Sequence, residues 1–200
     1  MASEANCTVL LPPDISGEPR LEEDIMASLE SQKVSDKIGA LKEAISLMLQ
    51  GEHLPRVLMC VIRFCITQED HFLKKMLMIY WEIVPKYDGE GKLLPEMILV
   101  CNALLRDLQH PNEFVRGSML RFLCKLKEPE LLDPLIPAIK ECLEHRHSYV
   151  RKNAALAVFN IHKTFGDRLL PDGPDLIDAF IGKETDTASR RNAFMMLFNQ

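Results

Sequence analysis

The side chains in this sequence that could do chemistry gather most densely at Cys142, Glu144, His145 and His147. Two imidazoles one residue apart, beside a thiol and a carboxylate, are donor types that hold zinc. Such a site usually draws its ligands as pairs from separate stretches, and no second pair is spaced to complete this one. His110 stands before Val115-Arg116 as His145 stands before Val150-Arg151. The histidines therefore read as a repeated surface turn. The six cysteines, Cys7, Cys60, Cys65, Cys101, Cys124 and Cys142, contain no pair spaced as a zinc knuckle or redox motif. Most lie in apolar runs, so buried, reduced thiols are expected rather than a disulfide framework. Glu22-Glu23-Asp24 sits at a predicted helix start, where negative charge complements the helix dipole. The chain contains no phosphate loop, nucleophile elbow, His-Glu-x-x-His or dinucleotide fingerprint. A non-enzyme is expected, with no catalytic residue, cofactor or metal.

Composition narrows the partners. The formal net charge is −5 and 47% of residues are hydrophobic. That is enough apolar material for a packed core, with no global basic field for nucleic acid. Apolar runs such as residues 131–139 are interrupted by Asp133, Pro134 and Pro137, far short of a membrane span. Residues 1–20 lack the pattern of a secretory leader, and Ala2 is not the glycine of myristoylation. A soluble, cytosolic protein is expected, whose membrane contact is indirect or comes from parts of the protein outside this sequence.

The elements that must position these residues are helices. Pro12, Pro13, Gly17 and Pro19 predict an extended segment over 1–19, whose Val9-Leu10-Leu11 could lie against the folded part. From 20 to 200 apolar residues recur at helical spacing. Ser35 is expected to cap a helix ended by Gly51, and Pro55 to open the next. Further helices are predicted over 69–84, 93–108, 114–126, 134–143, 148–165, 171–181 and 189–200, with a glycine loop at 86–92. No stretch alternates with period two, so the fold is read as all-α.

The helices repeat. Lys37, Lys74, Arg116, Arg151 and Arg190 each open a helix, at gaps of 37, 42, 35 and 39 residues. Three positions later stand Ala40, Leu77, Met119, Ala154 and Ala193. Four positions earlier stand Lys33, Asp70, Asn112, His147 and Asp186. Such a period in a helical chain predicts a right-handed α-solenoid of HEAT/armadillo-like repeats. Asn112 and Asp186 are expected to cap their helices, and Arg116, Arg151 and Arg190 to bond to neighbouring turns. The apolar stretch 193–198 would be left uncovered at the end, so a longer solenoid is expected. The predicted helix 93–108 carries two apolar stripes: Leu94, Ile98, Cys101, Leu105 and Leu108, and Leu93, Met97, Val100 and Leu104. One serves the core. The other either packs on a neighbour or receives a partner.

The phrases at 107–117, 121–128, 142–151 and 191–197, with Tyr80-Trp81-Glu82-Ile83-Val84-Pro85-Lys86, resemble the coatomer β-subunit family. The resemblance runs from about Cys7 to the end and is weakest in the lead segment and the glycine loop. More remotely, the repeats are similar to the trunks of clathrin-adaptor β subunits. The resemblance implies a subunit of the cytosolic COPI coat, working in Golgi-to-ER and intra-Golgi transport and peripheral on Golgi membranes and vesicles. It implies pairing with the coatomer δ subunit, in a subcomplex with γ and ζ, and recruitment by an Arf-family GTPase in its GTP form. In the adaptor trunks, Arf docks on N-terminal helices, one of which aligns with residues 93–108. That carry-over falls on Ile98 and Cys101, with Leu105 a turn further on. Another HEAT-repeat adaptor, of clathrin coats or nuclear transport, is the alternative.

Overall fold

The computed structural model describes residues 21–199. The extended segment expected over 1–19 lies outside them. Eleven α-helices follow one another as stacked antiparallel pairs, with no strand among the described residues. The first pair is α1 (Glu22–Glu30) and α2 (Val34–Leu49), the second α3 (Pro55–Phe64) and α4 (His71–Ile83). The third is α5 (Met97–Leu108) and α6 (Glu113–Leu123). In the fourth, α7 (Pro129–Leu132) and α8 (Ile136–Cys142) share the place of one helix before α9 (Ser148–Phe165). The fifth is α10 (Gly173–Lys183) and α11 (Thr187–Phe198). This is the helical solenoid expected from the period.

Local chemistry explains the boundaries. α2 ends in a Schellman motif: the N–H of Glu52 bonds to Leu47 O at 3.0 Å and that of Gly51 to Met48 O at 3.1 Å. Gly51 takes φ 98°, which a side chain would resist. Ser35 does not cap α2, because the helix already begins at Val34. Ser31 organises that turn instead, its Oγ accepting from Lys33 N at 3.1 Å and donating to Asp36 Oδ2 at 2.7 Å. α5 begins four residues later than its apolar pattern. Pro95 disfavours helix at Leu94, and the preceding chain is held by a single bridge from Tyr87 to Leu93. Asp88 Oδ1 closes that loop by accepting from Glu90 N and Lys92 N at 2.9 and 2.8 Å. The helix expected from Pro134 starts at Pro129 and is broken by a tighter turn over Asp133–Leu135. Pro134 and Pro137, which lack N–H donors, each fall in the first turn of a piece.

One apolar core runs through all five pairs. Ala40, Leu77, Met119, Ala154 and Ala193 are all buried in it. Close approach of second helices depends on small residues. At Gly117 of α6, an added methyl would overlap the ring of Tyr149 on α9. Gly117→Ala should therefore force α6 and α9 apart and cost about 1–3 kcal/mol, read as a lower thermal midpoint with an unchanged helical spectrum.

Candidate functional site

Two surfaces can be built from the sequence's own candidates: the turns between paired helices, and the solvent face of α5. In each turn the residue four before the cation is the N-cap of the second helix. Asp70 Oδ1 accepts from Phe72 N and Leu73 N, both at 2.9 Å. Asn112 Oδ1 accepts from Phe114 N at 2.9 Å, and Asp186 Oδ2 from Ser189 N at 2.8 Å. The Ser189 backbone N–H, and then its hydroxyl, hold the Asp186 carboxyl below its usual pKa. His147 caps through Nδ1, accepting from Tyr149 N at 3.2 Å. Lys33 has no acceptor to offer and caps nothing.

The cation falls at the fourth residue of each second helix. Lys37 Nζ donates to Leu29 O at 2.6 Å, ending its own first helix, and to Phe64 O at 3.0 Å, ending the next pair's. Lys74 Nζ meets Glu69 Oε2 at 3.2 Å and, one pair on, Asp107 Oδ1 at 2.8 Å. Arg116 donates to His110 O at 2.6 Å and Gln109 O at 2.9 Å. Arg151 donates to His145 O and Arg146 O, both at 2.9 Å, and forks onto Glu184 at 2.6 and 2.9 Å. Arg190 is exposed and makes no such bond among the described residues.

The histidines serve these same turns. His110 Nδ1 accepts from Asn112 N at 3.0 Å, and His145 Nδ1 from His147 N at 3.1 Å. Burial, then the charge of Arg116, lowers the His145 pKa, which keeps the imidazole an acceptor. No group of three possible metal ligands occurs among the described residues. The five described cysteines are unpaired. Burial pushes the thiols up, Cys65 and Cys124 to about 11, so they stay protonated.

On α5, Met97, Val100, Leu104 and Leu108 face the core. Leu108 thus belongs with the buried stripe and not the other. Ile98 is 63% exposed. Cys101 and Leu105 are half-buried against the core, and Cys101 Sγ lies 3.7 Å from Leu131 O. Leu99, which neither stripe contains, is 50% exposed beside Ile98. The unbroken run Met97-Ile98-Leu99-Val100 was its signal, since four consecutive apolar residues cannot all face one way on a helix. Next to this face, a groove of about 340 Å³ between α3 and the start of α5 is lined by Leu58, Met59, Tyr87 and Leu94. No described helix is long and apolar enough to cross a membrane.

Residues 18–199 match the model of the adaptin N terminal region. The chain belongs to the adaptin N-terminal family. It is 54% identical to "Coatomer subunit beta" of Sus scrofa over 99% of its length, covering 21% of that protein. It is equally similar to the Drosophila melanogaster protein of that name, over 100% of this chain and 20% of the relative. The Schizosaccharomyces pombe protein is 49% identical over 96% of the chain and 20% of its own length. The chain thus spans about a fifth of these relatives. A designed armadillo repeat protein, 14% identical, shares the fold with a TM-score of 0.55, covering 87% of this chain and 79% of its own.

The Arg151–Glu184 contact of this adaptin-type trunk gives a pH test. The guanidinium draws the Glu184 carboxyl from 4.5 to about 2 against the opposing effect of burial. A depressed carboxyl contributes stability above its unfolded pKa and loses it as pH falls through the folded one. The urea midpoint should therefore fall between about pH 4.5 and 2, less steeply in Glu184→Gln. Arg151→Ala, which leaves the carboxylate buried without its partner, should cost about 3 kcal/mol at neutral pH.

Proposed function

We propose that this chain is a trunk segment of a coatomer-type COPI coat subunit: a non-enzymatic scaffold that binds sister subunits, δ among them, and a GTP-bound Arf-family GTPase. The observation that carries this reading is 54% identity to coatomer β subunits along the whole chain. The exposed pair Ile98 and Leu99 supports it, because side chains that could have been buried instead form an apolar face on the surface. In this reading Ile98 makes the principal contact, and Cys101 and Leu105 form its half-buried floor. A GTPase orders its switch loops around the γ-phosphate, so an apolar face that fits only the ordered loops selects the GTP form. The GTPase's lipid anchor then supplies membrane attachment, and several such contacts along one coat multiply it. On this reading the protein works in the cytoplasm and peripherally on Golgi membranes and COPI vesicles. Arg151 ties its pair to the next through Glu184 while Arg116 closes its own turn, and neither takes part in docking.

Binding of the full-length subunit to Arf locked in its GTP or GDP state tests the reading. Strong preference for the GTP form is expected, and Ile98→Asp should abolish it. Because Ile98 is exposed, that variant should shift stability by no more than about 0.5 kcal/mol. Met97→Asp, placed in the core, should instead lower the melting temperature sharply. Equal binding to both nucleotide states, or an unaltered affinity in Ile98→Asp, would count against the proposal.

A further inference from the structure

The charges of this chain are sorted by helix. The second helices α2, α4, α6, α9 and α11 hold eleven Lys or Arg against four Asp or Glu. The first-helix stretches, with the 133–135 turn, hold five against ten. Among the described helices, the second-helix side is therefore the more basic, in a chain of net charge −5. Lys37, Lys74, Arg116 and Arg151 are engaged in the turns, while the other seven basic residues of this set lie at the surface. Three are laid over aromatic rings: Lys42 on Phe72 at 5.1 Å, Lys152 on Tyr149 at 5.6 Å and Lys163 on Phe159 at 5.8 Å.

A groove opens on this side. α2 packs closely on α4, α6 on α9, and α9 on α11, which closes the surface at those steps. α4 and α6 stand further apart, and a groove of about 330 Å³ opens between them. Met78, Ile79 and Phe122 form its apolar walls, and Lys75, Arg121 and Lys125 its rim. Lys125 is engaged by Glu82 at 2.7 Å. Neither Lys75 nor Arg121 has a carboxylate in ion-pair range among the described residues. Ile79 is 40% exposed, so the apolar wall is open to a ligand.

We infer that the α4–α6 groove docks an extended acidic segment of a partner protein. One bulky apolar side chain enters between Met78, Ile79 and Phe122, and carboxylates on either side of it meet Lys75 and Arg121. Charge complementarity selects the occupant: the rim offers unpaired cations around an apolar slot, which fits a peptide that alternates the two kinds of group. A bilayer surface would meet the cations of the rim but presents no single bulky side chain to fill the slot between Met78, Ile79 and Phe122. This site lies on the side of the solenoid opposite in charge to α5 and does not depend on the GTPase reading.

Fluorescence anisotropy with the full-length chain provides the test, using a labelled peptide whose central Leu-Phe is flanked by aspartates. Saturable, salt-sensitive binding is expected. Arg121→Glu and Lys75→Glu should each weaken it at least about tenfold, with circular dichroism melts unchanged because both side chains are exposed. Arg63→Glu, an exposed cation on α3, and Ile98→Asp should leave it unaltered. A peptide with lysines in place of the aspartates should not bind. The inference is overturned if the acidic peptide does not bind, or if Arg121→Glu and Arg63→Glu weaken it alike. It is also overturned if Arg121-dependent binding is seen to phosphatidylserine vesicles and not to the peptide.

Discussion

A helix that ends inside a protein leaves four carbonyls without intrahelical partners, and their dipoles make that end negative. In a stacked helical repeat the problem recurs at every first helix, close to the core. In three of the five pairs this chain answers it with a cation at the fourth residue of the following helix: Lys37, Arg116 and Arg151. Lys37 is 4% exposed and meets the last carbonyls of α1 and α3 together. Its ammonium bonds both pairs at once, so pair spacing and the closing of the turn are set by one side chain. Arginine extends the device. The fork of Arg151 reaches two carbonyls in its own turn and still has donors for Glu184 of the next pair, as only a guanidinium with five fixed donors can. The N-cap four residues earlier fixes where the helix begins, and hence which residue is fourth.

The step between the second and third pairs follows the same rule by other means. Lys74 reaches forward to a side chain, Asp107, in place of a carbonyl. Arg106 reaches back to Ile66 O at 2.8 Å, and Lys86, in the loop before α5, reaches forward to Glu128 at 3.3 Å. Polar bridges span this step where close helix packing joins the others. Bulky side chains, Trp81, Met78 and Phe122 among them, fill the space that alanine and glycine leave narrow between α6 and α9. The wider spacing opens grooves on both sides: an apolar one beside α5 and a basic-rimmed one between α4 and α6.

Much of this was readable before any coordinates. Lys37, Lys74, Arg116 and Arg151 stand where the repeat register put them, because both the cap and the cation act within one turn of chain. The misses share a cause. Ser35 is a good cap by type, but the helix begins one residue before it, and Ser31 bonds the Lys33 N–H in the preceding turn without capping α2. Residues 93–96 continue an apolar pattern that Pro95 forbids as helix, and the pattern persists because Leu93 and Leu94 pack on the core from a loop. Leu99 falls outside both stripes and is exposed all the same. The basic side was invisible for a different reason. Net charge sums over the chain, and opposite charges cancel there although they sit on different helices. Once the register assigns each helix to one side or the other, the sorting can be counted from residue types alone.

That sorting bears on how such a trunk can serve several partners. Ile98 and Leu99 present apolar surface on a first helix, where carboxylates outnumber cations in the set as a whole. Lys75 and Arg121 present positive charge on α4 and α6, the second helices before and after α5 in the chain. A ligand suited to one face gains little from the other: an apolar switch surface brings no carboxylates to the cations around the α4–α6 slot, and an acidic segment is repelled by the first-helix side. Since the two faces belong to opposite layers, their ligands need not displace one another. Discrimination here rests on placing unlike chemistry on the two layers of one repeat, and the alternation of first and second helices supplies those two layers at every pair.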